Sequence, residues 1–189
     1  MTNIGKYITE EGLVTDVMPK NKLVLGVIFD ETDNEFIFLP FADIDCCKSY
    51  SLRGIMDIAE SYNLQHGHRY LHWSVPSWSE WNLIIARLGK TDVMRRQQQG
   101  FKNRIEVWAE FDEKVVIENL TKYNLSPKFY YWSSSQGYDE EVYFMNLAGL
   151  IEPHPVWEDG EEYDYALRLV GHAAKNKNFL KGGWGEETK

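Results

Sequence analysis

The spacing of apolar positions changes twice along the chain. Leu23-Val-Leu-Gly-Val-Ile-Phe29 is an apolar run, Asp30-Glu-Thr-Asp-Asn34 supplies turn residues, and Glu35-Phe-Ile-Phe-Leu39 follows. Two such runs around a polar turn predict a β-hairpin with a longer loop. Gly5 to Val17 adds a short strand or turn that Pro19 ends. The spacing then becomes helical. Across Ser51–Tyr62, Leu52, Ile55, Met56, Ala59 and Tyr62 share one face. A second helix follows Pro76, which favours an extended lead-in. Ser77 and Glu80 have capping-box spacing, Trp81, Ile84, Ile85 and Leu88 form the stripe, and Gly89 is a stop.

Beyond Gly89 the pattern is mixed. The Gln97-Gln98-Gln99 run and Gly100 read as loop, and Ile105, Val107, Ala109 and Phe111 alternate like a strand. Asp112–Tyr123 predicts a third helix with Asp112 as cap. Phe129–Ser133, Glu141–Leu147 and Tyr163–Val170 are rich in strand-favouring types. From Ala173 onward, Lys-Asn-Lys-Asn and Gly182-Gly-Trp-Gly predict a flexible tail. Strands, then helices, then strands, without strand–helix alternation, predict an α+β fold with mostly antiparallel pairing rather than a parallel Rossmann-type sheet.

Composition narrows the function classes. The 189 residues fit one domain, and 43% apolar types with 14% aromatics supply a packed core. The formal charge of −9 disfavours phosphate backbones. The best basic patch, Arg95, Arg96, Lys102 and Arg104, is short and interrupted, so no nucleic-acid partner is expected. No apolar run reaches the roughly 20 residues of a membrane span, and none at the N-terminus reads as a signal peptide. The expectation is no membrane partner and a cytoplasmic or virion-associated protein rather than a Sec-exported one. Cys46 and Cys47 are adjacent, a strained spacing for a disulfide; Asp43 and Asp45 beside them disfavour a thiolate.

Several strings carry a resemblance. Trp73-Ser-Val-Pro-Ser-Trp-Ser-Glu-Trp81 resembles the W-x-L-P-S-x-x-E-L helix start of a bacterial and phage family of uncharacterised domains. Tyr131-Trp-Ser-Ser-Ser135 is similar to that family's Y-W-S-S element. Tyr143–Gly149 and Tyr165-Ala-Leu-Arg-Leu-Val170 resemble the strands that follow, and Leu25-Gly-Val-Ile-Phe29 resembles its opening hairpin. The resemblance spans roughly residues 20–171 in order. It implies the C-type-lectin-like fold, shared with formylglycine-generating enzymes and phage receptor-binding proteins: a small twisted antiparallel sheet flanked by two to three helices, its terminal strands paired. The implied organisation is a single domain over 1–172, the β segment 1–22 packed on it, and a tail over 173–189.

The departures bear on chemistry. Gly171 stands where the family has a second Arg, and 90–128 is longer. Glu152-Pro-His154 and Trp157-Glu-Asp159 lack the hard-oxygen donors of calcium-dependent lectins. The enzymes' cysteine pair has no counterpart, because Cys46-Cys47 is adjacent and early. His66-Gly-His68-Arg-Tyr-Leu-His72 is a tempting zinc string, but no cysteine or carboxylate completes it nearby, and a polar loop explains it. Ser133–Ser135 read as a structural corner whose hydroxyls bond to neighbouring backbone, with Trp132 in the core. Neither metal nor cofactor is expected, and no catalytic residue is singled out.

Gln136–Asp164 is acidic, which by itself describes a solvated face. The same segment holds Tyr138, His154, Trp157 and Tyr163, and aromatics with adaptable polar neighbours on loops are recognition materials. In the C-type-lectin-like fold the late loops are where ligand contacts lie. The expected site is therefore Tyr138, Asp139, His154, Trp157 and Tyr163. The expected function is a non-catalytic module that binds a glycan or protein ligand. The alternative is a structural or assembly protein of a phage virion or bacterial surface complex, forming a homo-oligomer through its tail.

Overall fold

The computed structural model describes residues 2–46, 52–90, 93–97, 105–109, 113–136, 141–147, 151–155 and 165–175. The apolar run at 23–29 becomes β3 (Val24–Glu31), after β1 (Tyr7–Thr9) and β2 (Val14–Thr15). It pairs with β4 (Glu35–Leu39) as the expected hairpin, Val27 opposite Leu39 and Ile28 opposite Phe38. The run is unbroken because both faces are covered. Ile28 joins one core with Phe36 and Phe38, while Val27, Phe29 and Leu39 join another on the opposite face.

β5 (Asp45–Cys46) leads towards α1 (Leu52–His66), β6 (Leu71–Ser74) and α2 (Trp78–Leu88). Ile55 and Ala59 of α1 are buried as the spacing predicts, but Met56 is 47% exposed at the stripe's margin. α1 also runs to His66, further than expected. α2 matches its prediction closely. Glu80 N donates to Ser77 Oγ at 3.2 Å, Ser77 N donates to Glu80 Oε2 at 2.7 Å, and all four stripe residues are buried. β7 (Val93–Gln97) pairs with β8 (Ile105–Ala109), so part of the expected glutamine loop is strand. α3 (Glu113–Thr121) follows, its expected cap Asp112 lying outside the described residues.

The last third supplies β9 (Tyr130–Gln136), β10 (Glu141–Asn146), β11 (Ile151–Pro155), β12 (Tyr165–Leu167) and β13 (Val170–Ala174). The large sheets have the orders β2-β1-β3-β4-β13-β6 and β11-β10-β9-β12-β5. Described pairs are antiparallel except β12 with β9. The architecture is α+β with antiparallel sheets, as expected, but six- and five-stranded sheets exceed the small sheet the resemblance implied. The terminal strands differ as well. β1 and β13 share a sheet but are separated by β3 and β4, and β13 pairs with β4 and β6.

Two cores line the two faces of both sheets. Tyr131 and Trp132 of β9 point to opposite cores, as do Met145 and Phe144 of β10. The Trp81 indole N–H donates to the Trp132 carbonyl at 3.0 Å, joining α2 to β9. The predicted tail boundary needs correction: Ala173 is fully buried in β13. Alanine and glycine are too small to register as an apolar stripe, so the sequence pattern fades there although the strand continues. Residues 176–189 lie outside the described residues. Among the described residues, no helix is long and apolar enough to cross a membrane.

Candidate functional site

Of the five residues expected to bind ligand, Tyr138, Asp139, Trp157 and Tyr163 lie outside the described residues. His154 lies in β11, where its backbone is opposite Val142. The strands that carry these segments are described. Val142 is opposite Gln136 and Glu141 is opposite Pro155. The chain therefore leaves β9, enters β10 and leaves β11 at one end of the five-stranded sheet, and the segments 137–140 and 156–164 both start there.

The serines after Trp132 continue strand β9 rather than form a corner, but the hydroxyls of Ser133 and Ser135 bond to backbone as expected. Trp132 is buried, Ser133 Oγ accepts from Ser135 N at 3.1 Å, and Ser135 Oγ accepts from Trp78 N at 2.9 Å. That last bond satisfies an amide at the start of α2 that has no partner within the helix. Of the cysteines, Cys46 belongs to β5 and Cys47 lies outside the described residues.

The histidine string is divided between α1, β6 and the connection that joins them. His66 ends α1, with its ring 4.4 Å from that of Tyr62. His68 Nδ1 accepts from Tyr70 N at 3.2 Å. His72 lies in β6, directly opposite His172 of β13. Opposed residues of an antiparallel pair project from the same face, and these two rings are 6.0 Å apart between centroids. His172 Nε2 is 3.0 Å from Ser74 Oγ and 3.8 Å from Glu80 Oε1. A cleft of about 360 Å³ adjoins the pair, lined among others by Glu35, Arg69, Tyr70, His72 and His172. The His72 pKa is held below 6.5 by desolvation and by His172, with Glu35 opposing.

Serine, histidine and glutamate therefore meet here, but not as a catalytic relay. In a triad, one imidazole nitrogen faces the nucleophile and the other faces the acid. Here Ser74 and Glu80 face the same nitrogen, while Glu80 Oε2 accepts from the backbone and hydroxyl of Ser77. No three His, Cys, Asp or Glu side chains converge as a metal site among the described residues. Sequence reasoning reached His72 but missed its partner. The only available signal was the polar histidine in an otherwise apolar stretch, and one sequence does not give strand register.

Arg168 is the other polar centre, fully buried between β12 and β13. Nε donates to Asp43 Oδ1 at 2.5 Å, Nη1 to the Pro40 carbonyl at 2.5 Å and Nη2 to the Asn124 carbonyl at 2.9 Å. Nearby, Tyr131 has its pKa raised to about 12, mainly by burial and then by Asp43. This is the Arg in the string resembling the family's closing strand, and its donors are directed into the fold. Compared with family models, curated proteins and solved structures, the chain matches none.

Proposed function

We propose that the chain is a recognition module of C-type-lectin-like design that binds a glycan or protein ligand non-catalytically. Tyr138, Trp157 and Tyr163 serve as aromatic anchors, and Asp139 and His154 set orientation. The observation that carries this reading is the strand register at Gln136, Glu141 and Pro155, which starts two aromatic-bearing segments from one end of one sheet. A rigid sheet supporting adjacent loops is how recognition surfaces are commonly built. The inward-directed bonds of Ser133, Ser135, Glu80 and Arg168 fit a scaffold whose conspicuous polar residues hold the fold together.

The test is a glycan-array screen of the full chain, with calcium and with EDTA, beside Trp157→Ala. Glycan binding that survives EDTA and is lost in Trp157→Ala supports the reading. Binding retained in that variant removes Trp157 as an anchor. A silent array removes the glycan ligand, and a concentration-independent oligomer in sedimentation then favours the assembly alternative.

A further inference from the structure

His72 and His172 come from strands about a hundred positions apart in sequence, yet they stand directly opposite each other on one face of the six-stranded sheet. Beyond the recognition reading, we propose that they chelate a divalent ion of the Zn²⁺, Ni²⁺ or Cu²⁺ class across β6 and β13, with the remaining coordination positions open to the adjoining cleft.

The geometry fits such an ion. With metal–nitrogen bonds of about 2.0–2.1 Å and a tetrahedral angle, two imidazoles on one ion have ring centroids roughly 5 Å apart. The observed separation is 6.0 Å, so side-chain rotations that draw the two rings closer are needed to complete the bite. Imidazole nitrogen selects this group of ions over calcium or magnesium. The surroundings of His172 also match those of a ligating histidine. Such a residue usually donates its other ring N–H to an oxygen, which fixes tautomer and orientation. Ser74 Oγ at 3.0 Å and Glu80 Oε1 at 3.8 Å face Nε2. An N–H at Nε2 leaves the Nδ1 lone pair for the metal.

The position suits binding from solution. β6 is an edge strand among the described residues, His72 is exposed, and the cleft of about 360 Å³ opens beside both rings. Glu35 lowers the cost of bringing a cation to the site, and Arg69 on the cleft wall opposes it. With two protein ligands, the other coordination positions are left to water or to a ligand atom. That distinguishes the site from a closed structural zinc centre, which has four protein ligands.

Isothermal titration of Zn²⁺ and Ni²⁺ into the untagged full chain at neutral pH tests the proposal, with His72→Gln, His172→Gln and Ser74→Ala alongside. The expected result is one saturable ion per chain, weakened about tenfold or more by either histidine change. Ser74→Ala weakens it less, because only the acceptor of the Nε2 proton is lost. Histidine ring ¹⁵N shifts should move on metal addition for these two residues. His72 is exposed at the sheet edge, so His72→Gln is the decisive variant if His172→Gln does not fold. Absence of saturable binding overturns the site. So does binding that His72→Gln leaves unchanged, which would assign the ion to other groups such as His66 or His68.

Discussion

Arg168 illustrates how a buried charge is made tolerable. An uncompensated guanidinium costs several kcal/mol to bury, and it stays charged at any accessible pH. Here one carboxylate and two backbone carbonyls take donors from all three of its nitrogens, and the Tyr123 carbonyl adds a longer contact at 3.4 Å. The Asn124 carbonyl is presented by a residue at φ 60°, a conformation that Asn tolerates better than most. Removing the charge leaves Asp43 and the carbonyls without donors. Arg168→Met should therefore lose about 3–5 kcal/mol in urea unfolding. Arg168→Lys should recover only part of this, since an ammonium cannot reproduce the fork. Gly171 makes a steric argument at the same scale. A Cβ there would lie 2.1 Å from Phe38 Cζ, and Phe38 is fully buried. Any larger side chain at this position therefore requires Phe38 to shift, and even Gly171→Ala should lower stability by about 1–3 kcal/mol in thermal or urea melts.

At the scale of elements, α2 is defined by local rules. Its apolar spacing, its cap and the proline before it lie within a few residues of one another, and the structure reproduces them. Ser77→Ala removes the acceptor for Glu80 N and one donor to the Glu80 carboxylate. A cost of about 1 kcal/mol in urea unfolding is expected, with little change in overall helix content by circular dichroism. The hairpin β3–β4 was legible for the same reason, since two strong strands flank a polar turn. Contacts set by long-range register were not. The His72–His172 juxtaposition and the carbonyls around Arg168 depend on which strand lies beside which, and hydrophobic patterning does not carry that information. The end of β13 reads as tail in the sequence because small residues fill its buried positions. The candidate ligand-binding residues stand out by composition and not by pattern, and most of them lie outside the described residues.

At the scale of the whole molecule, Glu31 joins the early and late parts of the described chain. It sits at the end of β3 and accepts from Asn3 N at 2.9 Å and Asn3 Nδ2 at 3.0 Å. Lys175, just past β13, donates to it at 3.0 Å and also bonds through its own backbone N–H to the Asn34 carbonyl. The hydrogen bonds from Asn3, followed by Lys175, bring the Glu31 pKa from 4.5 to about 2. A depressed carboxylate pKa means that the unfolded chain binds its proton first as pH falls. The stabilisation is then complete above about 4.5 and declines between 4.5 and 2. Because the side chain retains 20% exposure, solvent screening reduces its worth to about 1–2 kcal/mol. Glu31→Gln should show that deficit in urea unfolding at neutral pH, and the gap to the parent should narrow steadily as pH drops below 4.5. A gap independent of pH would mean that the amide fails to replace the packing of the carboxylate rather than its charge. Because the deficit arises where residues 2–3 and 175 meet, amide exchange should rise first in β1 and β13, before α2 is affected.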